Sequence, residues 1–537
     1  MNPLESMGGW SPGNEAPLFT PDGIATAVLR FREPTHVIRD NHSGAMGVAF
    51  GGQPAGGNGA FGWIGRLPAV FPEWLGDRAF CETHRLRFPY VAGEMANGIA
   101  TAQMVIAMAR AGMLGFFGAA GLAPERVVAG IDEIEAALGR DDAAPSWGIN
   151  LIHSPAEPAL ESAIAQLFIE RGIRRVCASA FMGLTPSVVR LSASGLTRAT
   201  DGQIVRRHHL FAKVSRPEVA EAFMQPAPAA MLNALVQAGL LRPEEAALAR
   251  ELPVAGDITV ESDSGGHTDN RPLGSLFPTL TRLREEVSRR HPGMPAIRLG
   301  AAGGLGTPES VAAAFALGAA YVVTGSINQS AVEAGIGANA KALLAQAGLA
   351  DVIMAPAADM FELGVKVQVL RRGTLFGPRA LKLYEHYRAH DSIEAMPEAV
   401  RLKLEKEVLG ASCEQIWHEV EGFFARRDPR ELERARTEPR HKMALIFRWY
   451  LGLSSRWAIT DEAARRADYQ IWCGPAMGAF NAWVRGSFLE APGGRTVVQI
   501  ALNLLEGAAT VTRAQQLRSA GLPVPSTAFH FPPRTMG

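Results

Sequence analysis

Ile297-Arg298-Leu299-Gly300-Ala301-Ala302-Gly303-Gly304-Leu305-Gly306-Thr307-Pro308-Glu309, followed one helix later by Tyr321-Val322-Val323-Thr324-Gly325-Ser326, decides the fold of this chain. The first run reads as an apolar strand, a glycine turn and a helix that starts on Thr-Pro-Glu. The second reads as another strand and another glycine turn. Proline at the first helical position marks a helix start, because its missing N–H has no partner to lose there. Strand, glycine turn and helix in series form a phosphate site when they are the last two units of a (β/α)8 barrel. Glycine lets the backbone come close to the anion, and the free N–H groups of a helix start favour it. The chain is therefore expected to hold a phosphorylated cofactor, and so to be an enzyme.

Working outward, the same alternation runs upstream. Eight short apolar runs read as strands: 88–95, 113–119, 147–152, 175–180, 209–214, 257–262, 297–303 and 321–326. Amphipathic segments at 100–111, 125–138, 157–171 and 308–317 read as the helices between them. Strands that are apolar on both faces, alternating with helices, imply a parallel sheet covered on both sides. Eight such units favour a closed barrel over residues 87–335. Two further helices, 229–240 and 243–251, fill the long gap between the fifth and sixth strands.

Residues 1–86 are rich in Gly and Pro and read as an N-terminal extension, with strands at 27–31 and 36–39 and a loop at Gly51–Gly59. Residues 336–537 read as a mainly helical C-terminal cap and substrate region. Its helices are expected at 378–390, 398–408, 413–426 and about 497–520. The charges from Arg426 to Arg440 fit a solvated helical face.

Composition narrows the function classes. With 537 residues the chain can bury a large core. Its net charge of +0 supplies no general attraction to nucleic acid or an anionic membrane. Four scattered cysteines without a CxxC pair argue against a zinc site or a disulfide framework, so no metal is expected. They suit a reducing cytoplasm. The first ten residues lack a signal-peptide pattern, and no run of about 18 apolar residues suggests a membrane span.

The strongest chemical candidate lies just after the sixth strand, in Glu261-Ser262-Asp263-Ser264-Gly265-Gly266-His267-Thr268-Asp269-Asn270-Arg271-Pro272. Residues following barrel strands face the active site, and a histidine there suits proton transfer or carbonyl polarisation. Lys213 ends the fifth strand. It reads either as a cation facing the site or as a rim lysine reaching for water. Asp269 and Arg271 read either as supports of the His267 loop or as contacts for a nucleotide. The run Asn41–Gly47 lacks the G-x-S-x-G pattern and reads as a plain turn.

Taken together, Val91–Gly98, Met113–Gly118, Ser264–His267, Ala302–Gly304 and Thr324–Ser326 resemble the FMN barrels of nitronate monooxygenases and FabK-type enoyl reductases. Glu261–Pro272, Lys366–Phe376 and Tyr469–Gly478 resemble the PfaD branch, the trans-acting enoyl reductases of polyunsaturated fatty acid and polyketide synthases. The resemblance implies an FMN-binding TIM barrel and NADPH or NADH as reductant. It implies acyl carrier protein domains as partners, with a homodimer among the possible assemblies. Gly93, Glu94 and Met95 would then lie against the flavin ring, and Asn150 would hydrogen-bond the ring or its ribityl chain. Gly303, Gly304, Gly325 and Ser326 would hold the phosphate, with Gly265 and Gly266 in the cofactor-binding loop. His267 would be the catalytic histidine, and Lys213 would offset charge on the reduced flavin. Ser326 stands where many relatives carry Thr. Met354–Phe361 and Trp472–Trp483 are candidates for a pantetheine channel, though such stripes also form core. Arg371, Arg372, Arg379 and Lys382 are candidates for a carrier-docking rim. A nitronate-type oxygenase and a non-catalytic flavin-binding protein of the synthase are the alternatives.

Overall fold

A computed structural model describes residues 6–57, 59–141, 143–155 and 157–537. Asn58, inside the expected Gly51–Gly59 loop, and the first five residues lie outside the described residues. Eight parallel strands close into a barrel in sequence order. They are β1 (Tyr90–Ala92), β2 (Leu114–Phe117), β3 (Gly148–Ile152), β4 (Arg175–Ser179), β5 (His209–Val214), β6 (Asp257–Glu261), β7 (Arg298–Ala302) and β8 (Tyr321–Thr324). β8 pairs back onto β1, with Val323 opposite Val91, so no edge is left open. Five helices of the outer ring start on proline: Pro124, Pro158, Pro186, Pro217 and Pro308. That residue fixes each helix start directly after a loop.

Side chains alternate along each strand, and the inward set fills the barrel in layers. On β6 these are Asp257, Thr259 and Glu261. Asp257, at the lower end, bonds His84 Nε2 at 2.9 Å and Arg298 Nε at 2.7 Å. His84 ends the helix Arg78–His84, which plugs the lower mouth with Phe80 stacked on Tyr321 at 4.3 Å. In the middle layer the Tyr321 and Thr259 hydroxyls lie 2.8 Å apart. A Cβ on Gly300 would fall inside the Tyr321 ring, so this strand position leaves room for the aromatic. Glu261 belongs to the upper layer.

Before the barrel lies a five-stranded antiparallel sheet, not the two strands expected. One expected strand, His36–Arg39, sits within Thr35–Asp40. The other, Ala27–Phe31, is instead mostly the end of a helix, Pro21–Leu29. Thr20 caps that helix by accepting from Gly23 N at 3.1 Å. Ile24, Ala27 and Val28 are buried at helical spacing, a period the short run 27–31 could not display. In the run Asn41–Gly47, residues 41–45 turn between the strands Thr35–Asp40 and Met46–Ala49, and Met46 and Gly47 open the second strand.

Beyond the barrel the chain is helical, with one exception. Strands Val352–Pro356 and Lys366–Leu370 form an antiparallel hairpin, and Gly266–His267 pairs with its second arm. Helices Phe376–Ala389, Glu398–Leu404, Cys413–Arg427, Pro429–Thr437 and Pro439–Thr460 enclose a separate core around Phe361, Leu383, Ile416 and Phe447. Glu398–Leu404 continues into a π-turn at Glu405–Leu409. The last long helix, Val497–Ser519, returns to the barrel and the N-terminal sheet. Among the described residues no helix is long and apolar enough to cross a membrane, and no group of His, Cys, Asp and Glu is arranged to hold a metal ion.

Candidate active site

The upper barrel mouth gathers the chemistry. Lys213 Nζ lies 2.9 Å from Glu94 Oε1 and 3.2 Å from Glu261 Oε1. Cys177 Sγ donates to the same Glu94 oxygen at 3.4 Å. The side chains are 19%, 5% and 19% exposed for Lys213, Glu94 and Glu261, which makes this a buried ion cluster. Burial opposes the lysine charge, but Glu261 and Glu94 outweigh it and hold the ammonium's proton affinity above the usual range. Burial also pushes the Cys177 thiol up, helped by Glu94. Lys213 is therefore not a rim lysine reaching into water. Nor is it a free cation, because two carboxylates share it and the three groups carry a formal charge of −1.

The two glycine turns lie beside this cluster, after β7 and β8. Gly303 and Gly304 have φ of +82° and +69°, a backbone that suits glycine. Gly303 presses on Ser262, where a Cβ would come within 2.7 Å. At Gly304 and Gly325 a Cβ would meet nothing within 4 Å. Thr307 Oγ1 accepts from Ser310 N at 3.4 Å and caps the helix Pro308–Ala316 behind the first turn. Ser326 Oγ accepts from Gly474 N at 3.1 Å, which leaves its own proton free to donate. Two open glycine positions, a helix start and a hydroxyl make a cradle that fits a phosphate.

The other candidates divide. Gly93 closes on β8, its N–H donating to Thr324 O at 2.9 Å, and a Cβ there would lie 2.8 Å from Val323. Met95 is buried beside it. Asn150 is buried, with Oδ1 accepting from Ala120 N at 3.2 Å and Nδ2 donating to Ser179 Oγ at 3.3 Å. Its amide thus ties the barrel wall together. Gly265 is accounted for by packing, since a Cβ would be 2.8 Å from Cys473 N, and Gly266 lies over the Trp472 ring. Residues 472–474 therefore cover the β6 and β8 loops, and Gln329 Nε2 donates to Trp472 O as well.

His267 is 39% exposed, and its Nε2 lies 3.2 Å from Asp359 Oδ2. Burial works against the imidazolium. The hydrogen bond and charge of Asp359, with Glu261 behind it, outweigh both burial and Lys213 and raise its proton affinity above that of an ordinary histidine. Asp269 does not touch His267. It accepts from Ser215 Oγ at 2.6 Å and from Arg216 Nε at 3.0 Å, which ties the loop to the end of β5. The Arg271 carbonyl accepts from Asp263 N at 2.9 Å. Gln368 Nε2 donates to Asp263 Oδ1 and Ser264 O, both at 2.7 Å, and so holds the loop from the hairpin side.

Sequence reasoning missed Glu261 as a site group, although strand alternation from Asp257 points it inward. It also missed Asp359 and Gln368, which carry no local signal because their partners lie about 100 residues away. Of the expected docking cations, Arg379 is held by the buried carboxylate of Asp468, Arg372 lies 3.4 Å from Asp351, and Lys382 lies 3.6 Å from Glu407. Arg371 is exposed. In the proposed channel segments, Phe361 and Phe480 are core. Trp483 donates its indole N–H to Phe531 O at 2.8 Å.

Comparison with known proteins agrees with the barrel fold. The family model described as nitronate monooxygenase matches residues 78–407, which hold all eight barrel strands and His267. A second, described as the inserted helical domain of acyl-carrier-protein S-malonyltransferase, matches residues 390–469. The chain is 46% identical over 452 residues to a polyunsaturated fatty acid synthase polypeptide of Thraustochytrium sp., covering 83% of this chain and 30% of that protein. It is 44% identical over 436 residues to the polyketide biosynthesis protein PksE of Bacillus subtilis, covering 81% and 56%. It thus spans only about a third to just over half the length of these two relatives. The crystal structure of the enoyl reductase domain of MlnA, from the macrolactin biosynthesis cluster of Bacillus amyloliquefaciens, matches with a TM-score of 0.79 at 34% identity, covering 83% of this chain and 99% of that one. The chain belongs to the nitronate monooxygenase family of flavin barrels and, within it, to the PfaD-type enoyl reductases.

Proposed function

We propose that this protein acts in trans to reduce the α,β double bond of enoyl thioesters carried on acyl carrier protein domains, in polyketide or polyunsaturated fatty acid biosynthesis in the cytoplasm. The observation that carries this reading is the coverage of 99% of an enoyl reductase domain by a chain with a half-exposed, carboxylate-partnered histidine over its barrel mouth. FMN held at the mouth would supply the two-electron chemistry between NADPH or NADH and the Cβ of the enoyl group.

The protein's residues do the rest. Gly303, Gly304, Gly325 and Ser326, with the start of the helix Pro308–Ala316, would hold the phosphate. Gly93 and Met95 would form the wall beside the ring. The Lys213, Glu94 and Glu261 cluster lies at the mouth and contributes its field there. His267 gives the proton to Cα. Negative charge develops on the thioester carbonyl as hydride adds, and a backbone N–H or the imidazolium stabilises it.

The relatives named as synthase and polyketide biosynthesis proteins support a carrier-borne substrate, as does the likeness of residues 390–469 to a helical insertion from an enzyme of acyl carrier proteins. A second reading, oxidation of nitronates, rests on the description of the family model that spans residues 78–407.

Anaerobic absorption spectra distinguish the two. A flavin band that bleaches with NADPH and returns on adding a crotonyl thioester is the expected result. Return only with oxygen or a nitroalkane would favour the oxygenase. A protein that neither carries nor takes up FMN would defeat both readings.

A further inference from the structure

We propose that Asp359 is a positioning residue that fixes the orientation and protonation of His267, and that the proton delivered to substrate leaves from Nδ1. This rests on the enoyl reductase reading.

One arm and the tip of a single hairpin reach the histidine. Its second strand, Lys366–Leu370, pairs with the His267 backbone opposite Val367. Its tip supplies Asp359, whose Oδ2 meets Nε2 at 3.2 Å while Oδ1 accepts from Met360 N at 3.1 Å. Asp359 is 62% exposed, so burial does not hold it in place. The tip is held by its neighbours. Phe361 is buried edge-on to Tyr384, with ring centroids 5.4 Å apart. Glu362 lies 2.9 Å from His441 Nδ1, 3.7 Å from Arg434 and 3.9 Å from Arg448. The helical region thus secures the loop that secures the histidine.

With Nε2 committed to a carboxylate, the neutral ring keeps its hydrogen on Nε2, and the transferable proton is the one on Nδ1. Among the described residues no protein group accepts from Nδ1. As hydride adds at Cβ, the electron pair of the double bond moves toward the thioester carbonyl and Cα. The Nδ1–H bond then breaks as the Cα–H bond forms. The neutral imidazole is reprotonated by water, which its 39% exposure admits. The charged groups facing the ring are Asp359 from the hairpin tip, Glu261 from β6 and Lys213 from β5.

The test uses Asp359→Asn in the full-length holoprotein, with Asp359→Glu as the conservative control. Histidine-selective 15N NMR, assigned with His267→Asn, should show the titration of His267 moving to lower pH by about one unit, with loss of the Nε2–H tautomer. The pH profile of crotonyl thioester reduction should move with it. Because the acid form is required, the fall on the basic side shifts to lower pH, and turnover in the variant approaches wild type in acid. Asp359→Glu should restore both. A loss of rate by the same factor at every pH, or a His267 titration that does not move, would overturn the proposal. A moved titration with an unmoved rate profile would overturn Nδ1 as the donor and leave enoyl reduction intact. Failure of the wild-type protein to reduce any enoyl thioester would overturn the underlying reading, whatever the NMR result.

Discussion

Replacing Lys213 with methionine tests the buried ion cluster directly. The change keeps an unbranched side chain, shorter by the terminal nitrogen, and deletes the charge that Glu94 and Glu261 share at 2.9 and 3.2 Å. Two carboxylate oxygens so close to one nitrogen lie within roughly 6 Å of each other. At an effective dielectric constant of about 20 their repulsion is about 3 kcal/mol. This agrees with the roughly 3–5 kcal/mol lost when one member of a buried ion pair is removed. Lys213→Met should therefore lower the unfolding free energy at pH 7 by about 3–5 kcal/mol, read from urea midpoints at a common slope. The loss should shrink on acidification. In the variant the folded carboxylate pair takes up a proton that the unfolded chain does not hold until lower pH, so stability is gained below that point and lost as pH rises. The double change Lys213→Met with Glu94→Gln should recover about 3 kcal/mol, since it removes the repulsion and leaves an amide to donate to Glu261. A loss under about 1 kcal/mol, or one that is equal at every pH and unrelieved by the second change, would refute the reasoning.

Asp257→Asn should destabilise the protein by about 3–5 kcal/mol at pH 7. Burial works against ionisation of Asp257, but His84 and Arg298 hold its carboxyl below the usual range. Its contribution is thus present at neutral pH and lost as pH falls below about 4, so the variant should show a flatter acid limb in thermal unfolding. Gly325→Ala places a methyl where no atom lies within 4 Å. It should leave the melting temperature of the flavin-free protein nearly unchanged and weaken FMN retention about tenfold or more, measured by absorbance after dialysis; unchanged retention would remove Gly325 from the phosphate cradle. Arg371→Glu should raise KM for a carrier-borne crotonyl group and not for its N-acetylcysteamine thioester. Equal effects on both would remove Arg371 from the docking surface.

The barrel is legible in the sequence because its strands are buried on both faces and read as unbroken apolar runs such as Val176–Ala178 and Leu210–Ala212. The phosphate turns are legible for a related reason: glycine, proline and a capping threonine carry their geometry locally. Strands that depend on distant partners are not legible. Val352–Pro356 and Lys366–Leu370 pair with each other, and the second pairs with two residues of the β6 loop. The first is a short apolar run and the second only five residues long, in a region whose other segments read as helix. The helix Pro21–Leu29 is half hidden because only its last residues form an apolar run. Within the site, His267 can be found by its place after a strand. Asp359 cannot, because about 90 residues of chain separate it from the imidazole it meets, and nothing near position 359 signals that contact.

The helix Val497–Ser519 has a consequence for how the chain matures. Ile24, Val28, Val37 and Val48, near the start, bury their side chains against Ala514, Leu517, Leu522 and Ala528, near the end. Arg32 pairs with Glu506, and the buried Arg513 donates to the carbonyls of Phe31 and Pro68. During synthesis the apolar face of residues 24–48 stays uncovered until residues 514–528 have been made. Loops this long close slowly, and exposed apolar surface during that interval favours association with other chains. Closing the seam between these two segments is thus a late step in the folding of this region. A break there should trap the protein with a formed barrel and an open, adhesive flank.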